Sequence, residues 1–290
     1  MPENITYDPV FKLITKPRLN SFDIFFKDNK TDISLYGAYV WSQSASASLY
    51  PLLQHLEILL RNSIDNEARR RFGDYWWDNI SMDESRPNWK NFNNCIDGAK
   101  RALKREWTKK EKAKRGISSD ADLPAGINAP IFRHDDIIAK TDFGAWKEVL
   151  NSAHHTSVNA QQGSYLWPRS MSKVFKQYSE YGTSPDNARE SILNAINEIK
   201  EYRNRLFHHD CIWVKSKSTD SQSAIETIRH KINLIEKMIN CISPITLSTL
   251  NTWGVFNYSR HICSAEELNF YINLQTRTKT KIVVGDLQIQ

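Results

Sequence analysis

The amino-acid sequence predicts an all-α fold, and three observations carry that expectation. Apolar residues recur at spacings of three and four across residues 31–72, 184–210 and 223–241, the period of one helix face. Glycine and proline number only ten each in 290 residues, few for a chain of many short strands and turns. Hydrophobic residues make up 40% and charged residues 25%, ordinary globular values that permit a sizeable core. The length fits one large domain or two smaller ones.

Charge and composition narrow the class. A net charge of +6 and a pI near 9.0 tilt the chain towards anionic partners. MPENITYDPVFKLITKP has no apolar signal core, and no run approaches the roughly 18 apolar residues of a membrane span. A cytoplasmic chain without membrane contact is expected. Cys95, Cys211, Cys241 and Cys263 show no paired spacing and read as reduced thiols. His261 and Cys263 lack a second ligand pair, so no metal site and no cofactor is expected. No P-loop, glycine-rich dinucleotide turn, Gly-x-Ser-x-Gly, internal repeat or heptad pattern occurs.

Residues 1–30 form an arm, with Val10, Phe11, Ile14, Phe22, Phe25 and Phe26 suggesting two short helices that cover the core. A long helical pattern follows from Thr31 to Phe72. Its SQSASAS stretch offers small residues where another helix can approach, and Pro51 either kinks it or begins a second helix. Glu57 and Arg61 are four apart, a spacing for an ion pair worth a few tenths of a kcal/mol on a surface. Trp76 and Trp77 read as core anchors. Glu84–Arg115 is expected to be one helix, ending at Gly116, that turns strongly basic. Lys100, Arg101, Lys104, Arg105, Lys109 and Lys110 make either a solvated face or a phosphate-binding surface.

Residues 117–130 read as a loop, Asp135-Asp136 as a helix start rather than a metal pair, and His154-His155 as part of an exposed loop. Short helices are expected around Ile137 and Trp146, a clear one from Ser223 to Cys241, and one or two more between Leu247 and Tyr271. The tail TKTKIVVGDLQIQ is either an extended strand or disordered.

The chain is organised around Asn194–Asp210, NAINEIKEYRNRLFHHD, the second half of an amphipathic helix. Ser184 or Asp186 can cap it, with Pro185 in the first turn. Its last turns crowd Arg203, Asn204, Arg205, His208 and His209 together. Cations at a helix C-terminus favour the dipole, which explains charge but not an amide beside an arginine or two adjacent imidazoles. Asn204 and His208 are four apart, so the amide can orient the imidazole. Arg203 and His208 are five apart, about 140° round an ideal helix. They converge only if the helix distorts, the arginine wraps, or a second chain's motif faces this one.

Arg203-Asn204-Arg205-Leu206-Phe207-His208 resembles the signature of the HEPN superfamily: an arginine, four to six residues beginning with a polar one, then a histidine. Trp41, HLEILLRN from His55 to Asn62, Phe72-Gly73 with Trp76-Trp77, Phe143-Gly144-Ala145-Trp146, Trp167 and RNRLFHH follow in the order of the Abi-like, abortive-infection branch. The resemblance spans about Tyr36 to Trp213. Ala145 replaces a common aromatic, and Cys211 follows Asp210 where Glu-Pro is frequent, which leaves the surroundings of the site less certain than the Arg/His pair.

The resemblance implies a HEPN-type helical bundle over residues 31–245 carrying the basic insertion 84–115, with helical decorations at 1–30 and 246–290. It implies a metal-independent ribonuclease, acting as a homodimer in abortive infection or as a toxin, with RNA as substrate and a cognate antitoxin or activating partner compatible with that role. Arg203, Asn204 and His208 would be catalytic, and Glu57, Arg61, Asn62 and His209 supporting. Histidine titrates near neutrality and suits proton transfer, while arginine suits a phosphate. The alternative is a catalytically silent HEPN module that binds RNA, a nucleotide or a partner protein.

Overall fold

The computed structural model describes residues 7–26, 30–156, 161–273, 282–284 and 287–289. Helices dominate: α1 (Asp8–Ile14), α2 (Lys16–Leu19), a 3-10 turn (Asn20–Phe25), α3 (Asp32–Phe72), α4 (Asn91–Lys114), α5 (His134–Ala139), α6 (Phe143–Val149), α7 (Met171–Val174), α8 (Pro185–Phe207), α9 (Ser221–Ile242), α10 (Pro244–Thr252), α11 (Val255–Ile262) and α12 (Ala265–Ile272). The tail carries two three-residue strands, β1 (Ile282–Val284) and β2 (Leu287–Ile289), paired antiparallel. No helix among the described residues is long and apolar enough to cross a membrane.

The chain divides into two compact units, residues 1–59 with 195–290, and residues 60–194. In the first, the arm and the C-terminal helices belong to the same body as the front of α3, the back of α8 and α9. The small residues of α3 are used as their size suggests. A Cβ on Gly37 would lie 2.2 Å from the Tyr271 carbonyl oxygen, so only glycine admits the α12 backbone there. Ser259 donates to the Ser48 carbonyl at 2.7 Å, and the Trp41 indole donates to the Ile262 carbonyl at 2.9 Å. The apolar stripe of α9, from Ile225 to Ile242, is buried. Asp220 and Ser223 form a capping box that starts this helix.

Pro51 neither breaks nor restarts α3, which runs through it. Proline has no amide to give the Ala47 carbonyl, and both positions are exposed, so water replaces the lost bond cheaply. The cap of α8 is resolved in favour of Ser184, whose hydroxyl accepts from the Asn187 amide at 3.2 Å.

The second unit is built on aromatic residues. Trp76, Trp77, Phe92, Trp146 and Trp167 are buried, and Trp76 stacks on Phe92 at 4.9 Å. Buried Asp65 accepts from the Trp76 indole at 2.8 Å and from His134 Nε2 at 2.9 Å. The Tyr75 amide donates to His134 Nδ1 at 3.0 Å, which fixes the proton on Nε2 and uses both ring nitrogens. This aspartate–histidine pair is therefore structural. Asp135 pairs with Arg69 and Asp136 with Arg133, in keeping with a helix start.

Two expectations fail here. The helix expected from Glu84 begins only at Asn91, because Asp83 draws Ser85 and Arg86 into a turn. His154 is not in an exposed loop: it is fully buried, edge-on to Phe92, and neither ring nitrogen has a hydrogen-bond partner.

Burial pushes the His154 imidazole down to about 4 from its ordinary 6.5. Between those values the unfolded chain binds a proton that the folded chain refuses. Stability is therefore full above pH 6.5 and falls as the pH drops towards 4, by roughly 3 kcal/mol at 1.36 kcal/mol per pH unit. Urea unfolding at pH 7 and pH 4.5 should show this loss, and His154→Leu should reduce it by about that amount.

Candidate functional site

The site is set by how α8 stops. His209 adopts a left-handed backbone, φ +56°, directly after the last helical turn. The Asp210 amide donates to the Arg205 carbonyl and the His209 amide to the Leu206 carbonyl, each at 3.0 Å. These two bonds make a Schellman cap with a histidine where glycine is usual. RNRLFHH is thus not one helical face. Arg203 to Phe207 are helical, His208 is the cap, and His209 points the chain into a new direction.

Arg205 holds that direction. Its Nη2 donates to the Cys211 carbonyl at 2.8 Å and the Trp213 carbonyl at 2.5 Å, with Asp210 3.5 Å from Nε. Trp213 is buried and meets the arm, its ring edge-on to Phe22 at 5.2 Å and to Phe25 at 4.8 Å. Nothing in the spacing singled Arg205 out from its neighbours; its role depends on the turn that follows. Burial tends to raise the Asp210 carboxyl, but the Cys211 amide, Lys215 and Arg205 outweigh it and hold it below the ordinary range. Burial pushes the Cys211 thiol up, which keeps it protonated and removes it as a nucleophile.

Beside this cap lies a cleft of about 780 Å³. One wall is the arm between Thr15 and Phe22, a second is α3 between Tyr39 and Ser46, and the third is the chain from Leu206 to Lys215. His208 and His209 both line it, with Arg18 and Lys215 as the other cationic side chains and Asp210 as the acidic one. A smaller hollow of about 420 Å³ adjoins it, walled mainly by Ala47, Tyr50, Leu53 and Phe207, with Ser46, Leu206 and His209 shared.

Arg203 does not line that cleft. Its Nη2 lies 3.5 Å from Glu57 Oε2, and its guanidinium sits 4.5 Å above the Phe207 ring. Glu57 thus turns to Arg203 rather than to Arg61, which donates instead to its neighbour Asn62 at 3.3 Å, in the second unit. Among the described residues no hydrogen bond joins the Asn204 amide to the His208 ring. The two are linked by the His208 backbone amide, which donates to the Asn204 carbonyl at 3.0 Å.

On the basic helix, Arg101, Lys104, Arg105 and Lys109 line a groove of about 710 Å³, together with Thr108 and Lys112. Lys112 was not expected there; it donates to the Ser119 carbonyl at 2.8 Å, a contact that depends on the loop after the helix. Lys100 instead is half-buried with its ammonium 5.8 Å over the Trp77 ring, and Lys110 is exposed outside the groove. Glu106 and Glu111 are committed to Lys140 and Arg115.

Set beside known families, characterised proteins and solved structures, the chain matches none of them.

The cap makes two substitutions diagnostic. Arg205→Ala should leave two carbonyl oxygens without their charged donor and cost about 2–4 kcal/mol in denaturant unfolding. His209→Gly should hold or raise stability by up to about 1 kcal/mol, because glycine adopts the left-handed conformation without a Cβ penalty, whereas His209→Val should lower it by about 1–2 kcal/mol.

Proposed function

We propose that this chain is a metal-independent endoribonuclease of the Abi-like, HEPN type. The observation that carries the reading is His208 exposed on the wall of a cleft that also holds His209, Arg18 and Lys215. Proton-transfer groups and phosphate-binding cations in one solvent-open cleft are what the reaction requires. His208 takes the proton from an RNA 2′-hydroxyl. The freed oxygen attacks the adjacent phosphorus, the bond to the 5′ oxygen breaks, and an acid returns a proton to that oxygen. The acid is His209 of the same cleft or a motif histidine of a second protomer. The products are a 2′,3′-cyclic phosphate and a 5′-hydroxyl.

Arg203 supplies phosphate charge in this reading only once it leaves Glu57, or when a second copy's motif faces it, and homodimerisation belongs to the same proposal. The groove on α4 serves RNA affinity through its four or five cations. An abortive-infection or toxin role, with an antitoxin or activating trigger, rests on the sequence resemblance. The Glu57–Arg203–Phe207 contact favours a second reading, a HEPN-type module that binds RNA, a nucleotide or a protein without cleaving it.

Incubation with RNA in EDTA should yield cyclic-phosphate ends, and a single 2′-deoxy sugar at the cut should block cleavage there. His208→Ala should lose about 10²–10⁴-fold. Cleavage of the 2′-deoxy substrate would remove the 2′-hydroxyl mechanism, and RNA binding without any cleavage would select the second reading.

Reversing Lys104, Arg105 and Lys109 to Glu should reduce the slope of log affinity against log salt by about 2, near 0.7 for each phosphate released. An unchanged slope would make the α4 groove an ordinary solvated face.

A further inference from the structure

The cleft beside His208 contains a cation that the motif does not supply. Arg18 stands on the arm wall, exposed, and makes no ion pair among the described residues. Lys215, the other long cation there, is 3.5 Å from Asp210 and partly neutralised by it. Arg203 is engaged with Glu57 and Phe207 outside the cleft. Arg18 is thus the uncommitted guanidinium nearest in kind to what a phosphate wants: a planar fork that donates two parallel hydrogen bonds.

The arm holds Arg18 in place independently of its charge. Leu19 and Phe22, on either side of the following turn, are buried. The Phe22 ring lies edge-on to Tyr39 and Trp213, and the Ser21 hydroxyl donates to the Arg18 carbonyl at 2.7 Å. The neighbouring walls are polar, with Ser21, Ser42 and Gln43 available as further donors. Among the described residues four that are not glycine have positive φ, and two of them, Thr15 at +76° and His209 at +56°, lie on this cleft. For a β-branched threonine that backbone is costly and persists only where packing enforces it, as at binding sites. The volume, about 780 Å³, is in the range of small-ligand sites.

We propose that Arg18, on the N-terminal arm, is the phosphate-binding residue of the His208 cleft, which makes the arm a substrate-binding element rather than a cover for the core. The group bound is a phosphodiester of single-stranded RNA, a choice of substrate that rests on the ribonuclease reading; the anion site itself does not. Arg18 takes the phosphate oxygens from the arm wall while His208 meets the same nucleotide from the opposite chain segment.

The test is binding of a fluorescent 2′-O-methyl RNA decamer, which cannot react through a 2′-hydroxyl, to the full chain at several salt concentrations. Arg18→Ala should weaken binding at least fivefold and lower the salt slope by about 0.7. Arg18→Lys should restore the slope but not the full affinity. Lys16→Ala, an arm cation that does not line the cleft, should stay within about twofold of the parent. Melting temperatures should be unchanged, since the Arg18 side chain makes no hydrogen bond within the described fold. No binding by the parent chain, no loss in Arg18→Ala, or an equal loss in Lys16→Ala would overturn the assignment. Loss of binding in Arg18→Ala by a parent chain that cleaves no RNA would remove the ribonuclease reading and leave the phosphate site standing. Intact binding in Arg18→Ala with normal cleavage would do the reverse.

Discussion

The Arg205 guanidinium bridging the Cys211 and Trp213 carbonyls is the contact on which the geometry around the motif depends. A helix carrying RNRLFHH has no intrinsic reason to stop between its two histidines. Its last carbonyls need partners, and the Schellman bonds provide them only if His209 accepts a left-handed backbone. That conformation costs about 1–2 kcal/mol for a residue with a Cβ. Two charge-assisted hydrogen bonds from Arg205 are of sufficient size to offset it.

The turn has consequences in both directions along the chain. Before it, Arg203 stays on the helix, packed over Phe207 and paired with Glu57. After it, His208 and His209 open onto the cleft, and Trp213 is carried against Phe22 and Phe25 of the arm. The arm becomes a wall of the site because Trp213 gives its aromatic residues a surface to cover. Separation of Arg203 from the histidines follows from the same turn. On a continuous helix the two would stand about 140° apart in any case, and the cap adds a change of backbone direction to that angle.

Much of the fold was legible from periodicity. The stripes of α3, α8 and α9 identify themselves because their apolar spacing spans many turns, and the small residues of α3 announced a close neighbour, found in α11 and α12. Short-range signals were less informative. The start of α4 depends on an Asp83 turn whose partners, Ser85 and Arg86, are ordinary helix-compatible residues. His154 looked like a loop histidine because its neighbours are polar, yet tertiary packing buries it among aromatic rings. At the site, the sequence marked His208 by its motif but could not mark Arg18, which is 190 positions away and has no local pattern. Nor could it distinguish Arg205 from Arg203, since only the path of residues 209–213 separates a clamp from a surface cation.

A crystal structure with uridine 3′-phosphate bound tests the link between the α8 cap and the chemistry most directly. The phosphate should lie in the cleft between the arm and the cap, with an oxygen within about 3.2 Å of the His208 ring and with His209 in the left-handed conformation. A helix continuing through His209, or a nucleotide bound only away from His208, would contradict it.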